Sequence, residues 1–199
     1  MNLLKFLSKA LIISVLSCSY SSTAAEFEVQ PFFGQMYSAD LQSVVDGTEL
    51  SVDNAMSYGI AFSWQDSPNG QGQLILNAVS HDFNSDLDGQ EYSLDILYAH
   101  FNGVALFRQQ NYVTTVSLGL GGAYFDSDMN QELYPSATLA IGTRYEFSDN
   151  LAFITELRGY ASIIDNKDNN FCQDDICYAT FNEGLWLETN LMIGVAVKF

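Results

Sequence analysis

The side chains with chemical reach are few and widely spaced. Beyond its first 25 residues the chain holds two histidines, His81 and His100, and two cysteines, Cys172 and Cys177. Ser80-His81-Asp82 offers the residue types of nucleophilic hydrolysis: a hydroxyl to attack, an imidazole to take its proton, and a carboxylate to orient the ring. Neighbours on an extended strand point to opposite faces, however, so His81 cannot activate Ser80 directly and would need a cross-strand hydroxyl such as that of Ser93. A histidine at an interface, without catalytic duty, explains the same residues more simply. Asn84-Ser-Asp86-Leu-Asp88-Gly89, with Asp95 in the twelfth position, follows part of a calcium-binding EF-hand loop. Asn takes the place of the first Asp, Asp that of the bidentate Glu, and no helical pattern flanks the segment, so the expectation is a hairpin turn at Asp88-Gly89. Gly119-Leu-Gly121-Gly122 has the glycines of a phosphate loop, but no helix follows it.

Cys172 and Cys177 flank Gln-Asp-Asp-Ile. That spacing supplies half a metal site, but no second Cys or His pair lies nearby. In an exported chain two thiols so close read as a disulfide. No metal and no cofactor is expected.

Export is written into the N-terminus. Met1 to Ala25 contains no acid, carries Lys5 and Lys9, then runs through Ala10-Leu-Ile-Ile-Ser-Val-Leu16 to Ser21-Ser-Thr-Ala-Ala25. This is a signal-peptide layout with Thr23 and Ala25 at the −3 and −1 positions of the cut. The expected division is therefore a leader over 1–25 and one domain over 26–199. Val15-Leu16-Ser17-Cys18 offers a competing lipoprotein cut with Cys18 as the lipidated first residue. With both early lysines gone, the net charge moves from −17 to −19, which excludes a nucleic-acid partner by repulsion from phosphate. Charged residues make up 16% and aromatics 14% of the sequence. Few charges and many aromatics point to a surface in contact with lipid.

No apolar run of the mature part is long enough for a transmembrane helix. Instead, runs of alternating residues recur between turn signals. Tyr58, Ile60, Phe62 and Trp64 alternate with Gly59, Ala61, Ser63 and Gln65. Tyr92, Leu94, Ile96 and Tyr98 alternate with Ser93 and Asp95, and Val116, Leu118 and Leu120 with Ser117, Gly119 and Gly121. Further alternating runs cover Ala137 to Phe147, Leu151 to Ala161 and Asn190 to Phe199, while Phe27 to Tyr37, interrupted by Pro31, and Leu74 to His81 are less regular. That makes eight strands. Asp46-Gly47, Asn69-Gly70, Asp88-Gly89 and Asn102-Gly103, then residues 126–133, Ser148-Asp149-Asn150 and 165–180, mark seven connections. The first, third, fifth and seventh hold 15 of the 24 acids.

A soluble sandwich would alternate too. Here, though, the weaker face is Gly, Ser, Ala and Thr with a few charges, which suits a narrow filled lumen. Long acidic connections segregated from short ones suit a barrel inserted from one side. The fold expected is all-β, an eight-stranded antiparallel up-and-down transmembrane β-barrel. Arg144, Glu146, Glu156 and Arg158 share the parity of the interior on consecutive strands, so one lumen ion-pair network is expected, since unpaired buried charges are costly.

The chain resembles small outer-membrane β-barrels of the OmpA/OmpX-like superfamily. The matching residues are Ser57-Tyr-Gly-Ile-Ala-Phe-Ser-Trp64, Ser117-Leu-Gly-Leu-Gly-Gly-Ala123, Glu156-Leu-Arg-Gly-Tyr160, Phe171-Cys172 with Cys177, and Gly194-Val-Ala-Val-Lys-Phe199. The resemblance implies insertion by the β-barrel assembly machinery with Phe199 as the assembly signal, and location in a Gram-negative outer membrane among lipid and lipopolysaccharide. The role expected is structural or surface-interactive, as a non-enzymatic monomer. Two alternatives remain: a narrow pore or carrier for small solutes, and an enzyme acting on lipid A. Clustered loop acids could also hold Ca²⁺ or Mg²⁺ beside lipopolysaccharide phosphates, against simple solvation.

Overall fold

Alternating sequences become strands because side chains at every second position meet the same environment on a pleat. A computed structural model of the chain describes residues 26–127, 129–164, 171–173, 176–181 and 184–199. The expected leader over 1–25, with Cys18, lies outside the described residues. In chain order the strands are β1 (Phe27–Ser38), β2 (Leu41–Gln42), β3 (Glu49–Leu50), β4 (Ala55–Ser67), β5 (Gly70–Asn84), β6 (Glu91–Arg108) and β7 (Val113–Ser127). They continue with β8 (Gln131–Glu146), β9 (Leu151–Ile163), β10 (Cys172–Gln173), β11 (Ile176–Cys177), β12 (Thr180–Phe181) and β13 (Leu185–Lys198). The eight long ones close into an antiparallel barrel in the order β1-β13-β9-β8-β7-β6-β5-β4. Each strand pairs with its chain neighbour in the barrel, and β1 closes the ring on β13.

Three short connections lie at one end with the described termini, the turn end, and the others form the loop end. The turn at Asn102-Gly103 expected from the sequence does not form. Gly103 lies inside the ladder, opposite Gly72 and Leu118, and alternation runs on through Phe107 before the chain turns at Gln109–Tyr112. The fifth connection is likewise shorter than 126–133, because β7 continues to Ser127 and β8 resumes at Gln131. Pro31 faces outward in β1, and the β1–β13 partners skip from Val29↔Val197 to Phe32↔Gly194 around it, as a residue without an N–H requires.

The barrel strands run from 12 to 18 residues, whereas crossing a bilayer takes only about 9–11 tilted residues. In the turn-end half, large apolar side chains face out: Phe101 is 66% exposed, Leu118 65% and Leu120 72%. Toward the loop end of β5, β6 and β7 the faces exchange. Tyr92, Leu94, Ile96, Val79, Phe83 and Phe125 turn inward, while Ser80, Asp82, Asp95 and Asp126 take the outward parity. The run from Tyr92 to Tyr98 thus presents its apolar face to the interior, opposite in sense to Tyr58–Trp64.

A small second core fills the mouth. Phe83, Phe125, Tyr134, Phe171 and Trp186 are buried there with Leu41, Leu50 and Val52. Phe83 meets Phe171 edge-on at 5.2 Å, Phe171 meets Phe181 at 5.1 Å, and Phe181 meets Trp186 at 5.5 Å. The loops are knitted together by the small sheet β12-β2-β3, by a bridge from Val52 to Phe83, and by the Ser85 hydroxyl donating to the Tyr178 carbonyl at 2.9 Å. Cys172 and Cys177 are disulfide-bonded across the β10–β11 hairpin.

Candidate functional site

Among the described residues the interior gathers the buried charged and polar side chains, and it is tiered. At the turn end Arg144 of β8 reaches across the lumen to Glu28 of β1, its Nη1 donating to Oε1 at 2.8 Å and its Nη2 engaging Oε2. Arg144 Nε lies 3.5 Å from Glu146, which also accepts from Lys198 Nζ at 2.9 Å and sits 3.9 Å from Arg108. In mid-lumen Arg158 is fully buried. Its Nε donates to Glu156 at 2.8 Å, and its two Nη groups reach Thr138 at 3.3 Å, Ser117 at 3.3 Å and Gln73 at 3.4 Å. One guanidinium thus ties β9 to β8, β7 and β5, using the five-donor fork that only Arg possesses.

The four charges expected to form one network therefore belong to two. Arg158–Glu156 stands alone in the middle, while Arg144 and Glu146 join Glu28 and Lys198 at the turn end. Parity identified Arg144, Glu156 and Arg158 as inward, while Glu146 is exposed at the end of β8, and only closure of the ring brings Glu28, 116 positions away in sequence, to Arg144. The signal available in sequence was Glu28 and Lys198 at the ends of the first and last strands.

Above Arg158 lies an aromatic and histidine tier. Tyr98 stacks on Tyr160 with centroids 4.2 Å apart, and His100 packs against both. Asn77 Nδ2 donates to the Tyr160 hydroxyl at 3.0 Å, and the Tyr98 hydroxyl donates to Glu188. His81 sits here, buried in the interior and not at a lipid interface. Its Nδ1 is 2.8 Å from the Asp53 carbonyl oxygen and its Nε2 2.7 Å from Glu188 Oε1. A carbonyl only accepts, so Nδ1 carries a proton, and the contact with Glu188 holds a second one on either partner. Both ring nitrogens are engaged, while Ser80 and Ser93 take the outward parity. The triad-like tripeptide is split by the pleat, and His81 fastens the first loop to the lumen.

Room for this tier comes from glycine. A Cβ on Gly121, the cross-strand partner of His100, would lie 2.0 Å from the Ala99 carbonyl oxygen. The Gly119–Gly122 segment is thus a close-packing feature of β7.

The loop end carries a repeated turn that alternation had hidden. Ser43-Val-Val-Asp46-Gly47-Thr48 and Ser85-Asp-Leu-Asp88-Gly89-Gln90 fold alike. In each, the Gly N–H donates to the Ser carbonyl, at 3.1 and 2.9 Å, and the Asp Oδ1 accepts from the last residue's N–H, at 3.1 and 3.0 Å. Gly47 and Gly89 have φ of 73° and 68°, the left-handed region that favours glycine. The tyrosine hydroxyl of Tyr92 and the Gln90 N–H hold the Asp88 carboxyl below its ordinary range, and the Thr48 hydroxyl and N–H do the same for Asp46. The EF-hand-like segment is this turn, with Asp95 on the outer wall of β6. Five further loop acids, Asp128, Asp165, Asp168, Asp174 and Asp175, lie outside the described residues. At the opposite end Phe199 is exposed, its N–H donating to the Phe27 carbonyl at 2.9 Å.

No family model matches the chain, and no curated protein matches it. Solved structures do. The crystal structure of Neisserial surface protein A superposes with a TM-score of 0.59 at 12% identity, covering 88% of this chain and 100% of that one. Ail, the attachment invasion locus protein of Yersinia pestis, in complex with the heparin analogue sucrose octasulfate, gives 0.54 at 12% identity over 89% and 100%. Outer Membrane Protein W of E. coli gives 0.53 at 12% identity over 88% and 98%. The fold is that of the small eight-stranded transmembrane barrels.

Proposed function

We propose that this chain is a monomeric, non-enzymatic barrel of a Gram-negative outer membrane, structural in the wall and interactive at its loops. It would be exported with residues 1–25 removed, inserted by the β-barrel assembly machinery through the strand ending in Phe199, and surrounded by lipid and lipopolysaccharide. The observation that carries this reading is the exchange of faces within single strands. A wall apolar outward at the turn end, with β5, β6 and β7 polar outward toward the loop end, suits a barrel that crosses lipid and lifts these three strands above it.

The filled interior supports a structural role. Arg158 spans the lumen at mid-height, Arg144 and Glu28 span it at the turn end, and the Phe83–Trp186 cluster covers its mouth. The knitted loops support a surface role, since ordered loops lose less entropy on binding. Among the described residues no Lys or Arg lies at the loop end, so the partner this surface suits is cationic, unlike the sulfated ligand held by Ail.

The test is heat-modifiability with fractionation. The mature chain extracted from outer membranes should migrate differently before and after boiling and keep its barrel strands under external protease. Migration as an unfolded chain, with recovery in the soluble periplasmic fraction, would overturn the reading. Planar-bilayer recordings should show no steady conductance, and lipid A mass profiles should be the same for wild type and His81→Ala.

A further inference from the structure

The first loop lies over the mouth, where its Leu41, Leu50 and Val52 are buried in the second core. Its hold on the wall beside it is narrow. The β4–β5 ladder ends at Ser57↔Val79, and above it Val52 bridges to Phe83. Between those points the described contact with β5 is made at Asp53. The Asp53 N–H donates to the Asp82 carbonyl at 2.9 Å, and the Asp53 carbonyl accepts from His81 Nδ1 at 2.8 Å. The first bond keeps its donor at every pH, whereas the second depends on where the protons of an imidazole sit.

Proton counting sets the condition for that second bond. His81 stands between two acceptors, the Asp53 carbonyl and the Glu188 carboxylate, with Nε2 2.7 Å from Oε1 and neither side chain exposed. A neutral imidazole carries one N–H, and two acceptors call for two protons. Once a proton is lost, either Nε2 turns a lone pair on the carboxylate, or the remaining N–H moves to Nε2 and Nδ1 turns its lone pair on Asp53. Both leave a buried acceptor without a donor, the costly way to lose a hydrogen bond. The titratable groups around the ring are Glu188 on β13, which also accepts from Tyr98 on β6, Asp82 beside it on β5, and Asp53 in the loop. Arg158 is engaged by Glu156 in the tier below. His81 sits above the water level, where the outward neighbours are Ser80 and Asp82. Burial opposes a charged ring there, but the Glu188 bond and charge, the Asp53 carbonyl and the Asp82 charge outweigh it, so the ring keeps its proton above the ordinary histidine range. Both bonds are therefore complete below about pH 6.5, and one is lost as the pH climbs through the raised value.

We propose that His81 is a pH-dependent latch, which holds the first loop closed over the barrel mouth in acidic medium and lets it lift as the medium turns alkaline. Release at Asp53 frees the adjoining Val52 and Leu50 from the mouth core, while the ladder below Ser57 stays paired. The latch rests on contacts within the loop end and does not depend on which partner that surface takes.

The test follows the Asp53 amide of the mature chain, folded in detergent micelles, by nuclear magnetic resonance from about pH 6 to pH 9. Its protection against exchange, taken relative to the intrinsic rate at each pH, should fall by about tenfold, the scale of one hydrogen bond to a charged group. The midpoint should match that of the His81 ring nitrogens, and the Gln90 amide, held by Asp88, should stay level. Glu188→Gln puts an amide donor opposite Nε2, so a neutral ring can keep Nδ1–H on Asp53, and the fall should vanish with protection retained. Tyr98→Phe leaves the His81–Glu188 pair in place and should keep the fall. Level Asp53 protection in wild type, a midpoint apart from that of the His81 ring, or an unchanged fall in Glu188→Gln would each overturn the proposal.

Discussion

Strand β6 contains two proteins' worth of logic. From Leu97 to Phe107 its outward positions include Leu97, Phe101 and Phe107, and its inward ones include His100 and Asn102. From Glu91 to Asp95 the outward positions are Ser93 and Asp95 and the inward ones Tyr92 and Leu94. The backbone is continuous and the pleat unbroken, so the difference comes from the surroundings. One half has lipid outside and must hide its polar groups within, while the other stands in water and buries its apolar groups as a soluble domain does. Burial direction thus changes with height along β5, β6 and β7, whereas β9 and β13 stay apolar outward to their loop ends.

This contrast can be broken most strongly at Arg158. Arg158→Ala leaves Glu156 buried without its partner, which should cost about 3–5 kcal/mol, read as the urea midpoint for unfolding from lipid vesicles. Arg158→Met paired with Glu156→Gln should recover much of that loss, because the uncompensated charge goes as well. At the other end, Phe83→Ala removes a ring from the mouth core and should cost about 3–5 kcal/mol locally. Its expected signature is protease cleavage of the loops with the gel shift retained, since the barrel below stays closed. Should Phe83→Ala abolish the shift, the two halves would be a single cooperative unit.

The outer surface gives a paired comparison. Phe101→Arg should destabilise by about 2–4 kcal/mol and Ser80→Arg by about 0–1 kcal/mol, because the penalty for a lipid-facing cation falls toward the interface. Equal costs would remove the assigned water level. Reducing Cys172–Cys177 should cost about 2 kcal/mol in the loop-entropy picture for so small a ring, visible as faster amide exchange near Tyr178 and unchanged exchange in β9. The smallest effect concerns Asp88. Its carboxyl titrates below the ordinary range, so its bonds to Tyr92 and Gln90 are present at neutral pH and lost on acidification. The protection of the Gln90 amide against exchange, taken relative to its intrinsic rate at each pH from 7 to 3, should fall only below about pH 4. A fall already near pH 6 would contradict the assignment.

Alternation made the eight strands and the inward parity of Arg144, Glu156 and Arg158 legible, because a period of two is a local property. It failed where its meaning changed sign. Leu74–His81 resisted assignment because it straddles the water level, with Leu74 and Leu76 outward below and Val79 and His81 inward above. Asn102-Gly103 read as a turn because dipeptide propensity carries no knowledge of the partners holding it in the ladder. The twin Ser-x-x-Asp-Gly turns were visible as a repeat and needed only comparison of residues 43–48 with 85–90.

What the linear order of residues settled unaided was the β architecture, the strand count, the distinction between the two ends and the cysteine pair, all set by near neighbours. Which charge meets which was beyond it. Arg144 finds Glu28, His81 finds Glu188, and Phe83 finds Phe171 only because the ring closes on itself and the loops fold over its mouth. Those contacts depend on register, tilt and closure, quantities that belong to the sheet as a whole and to no segment of it.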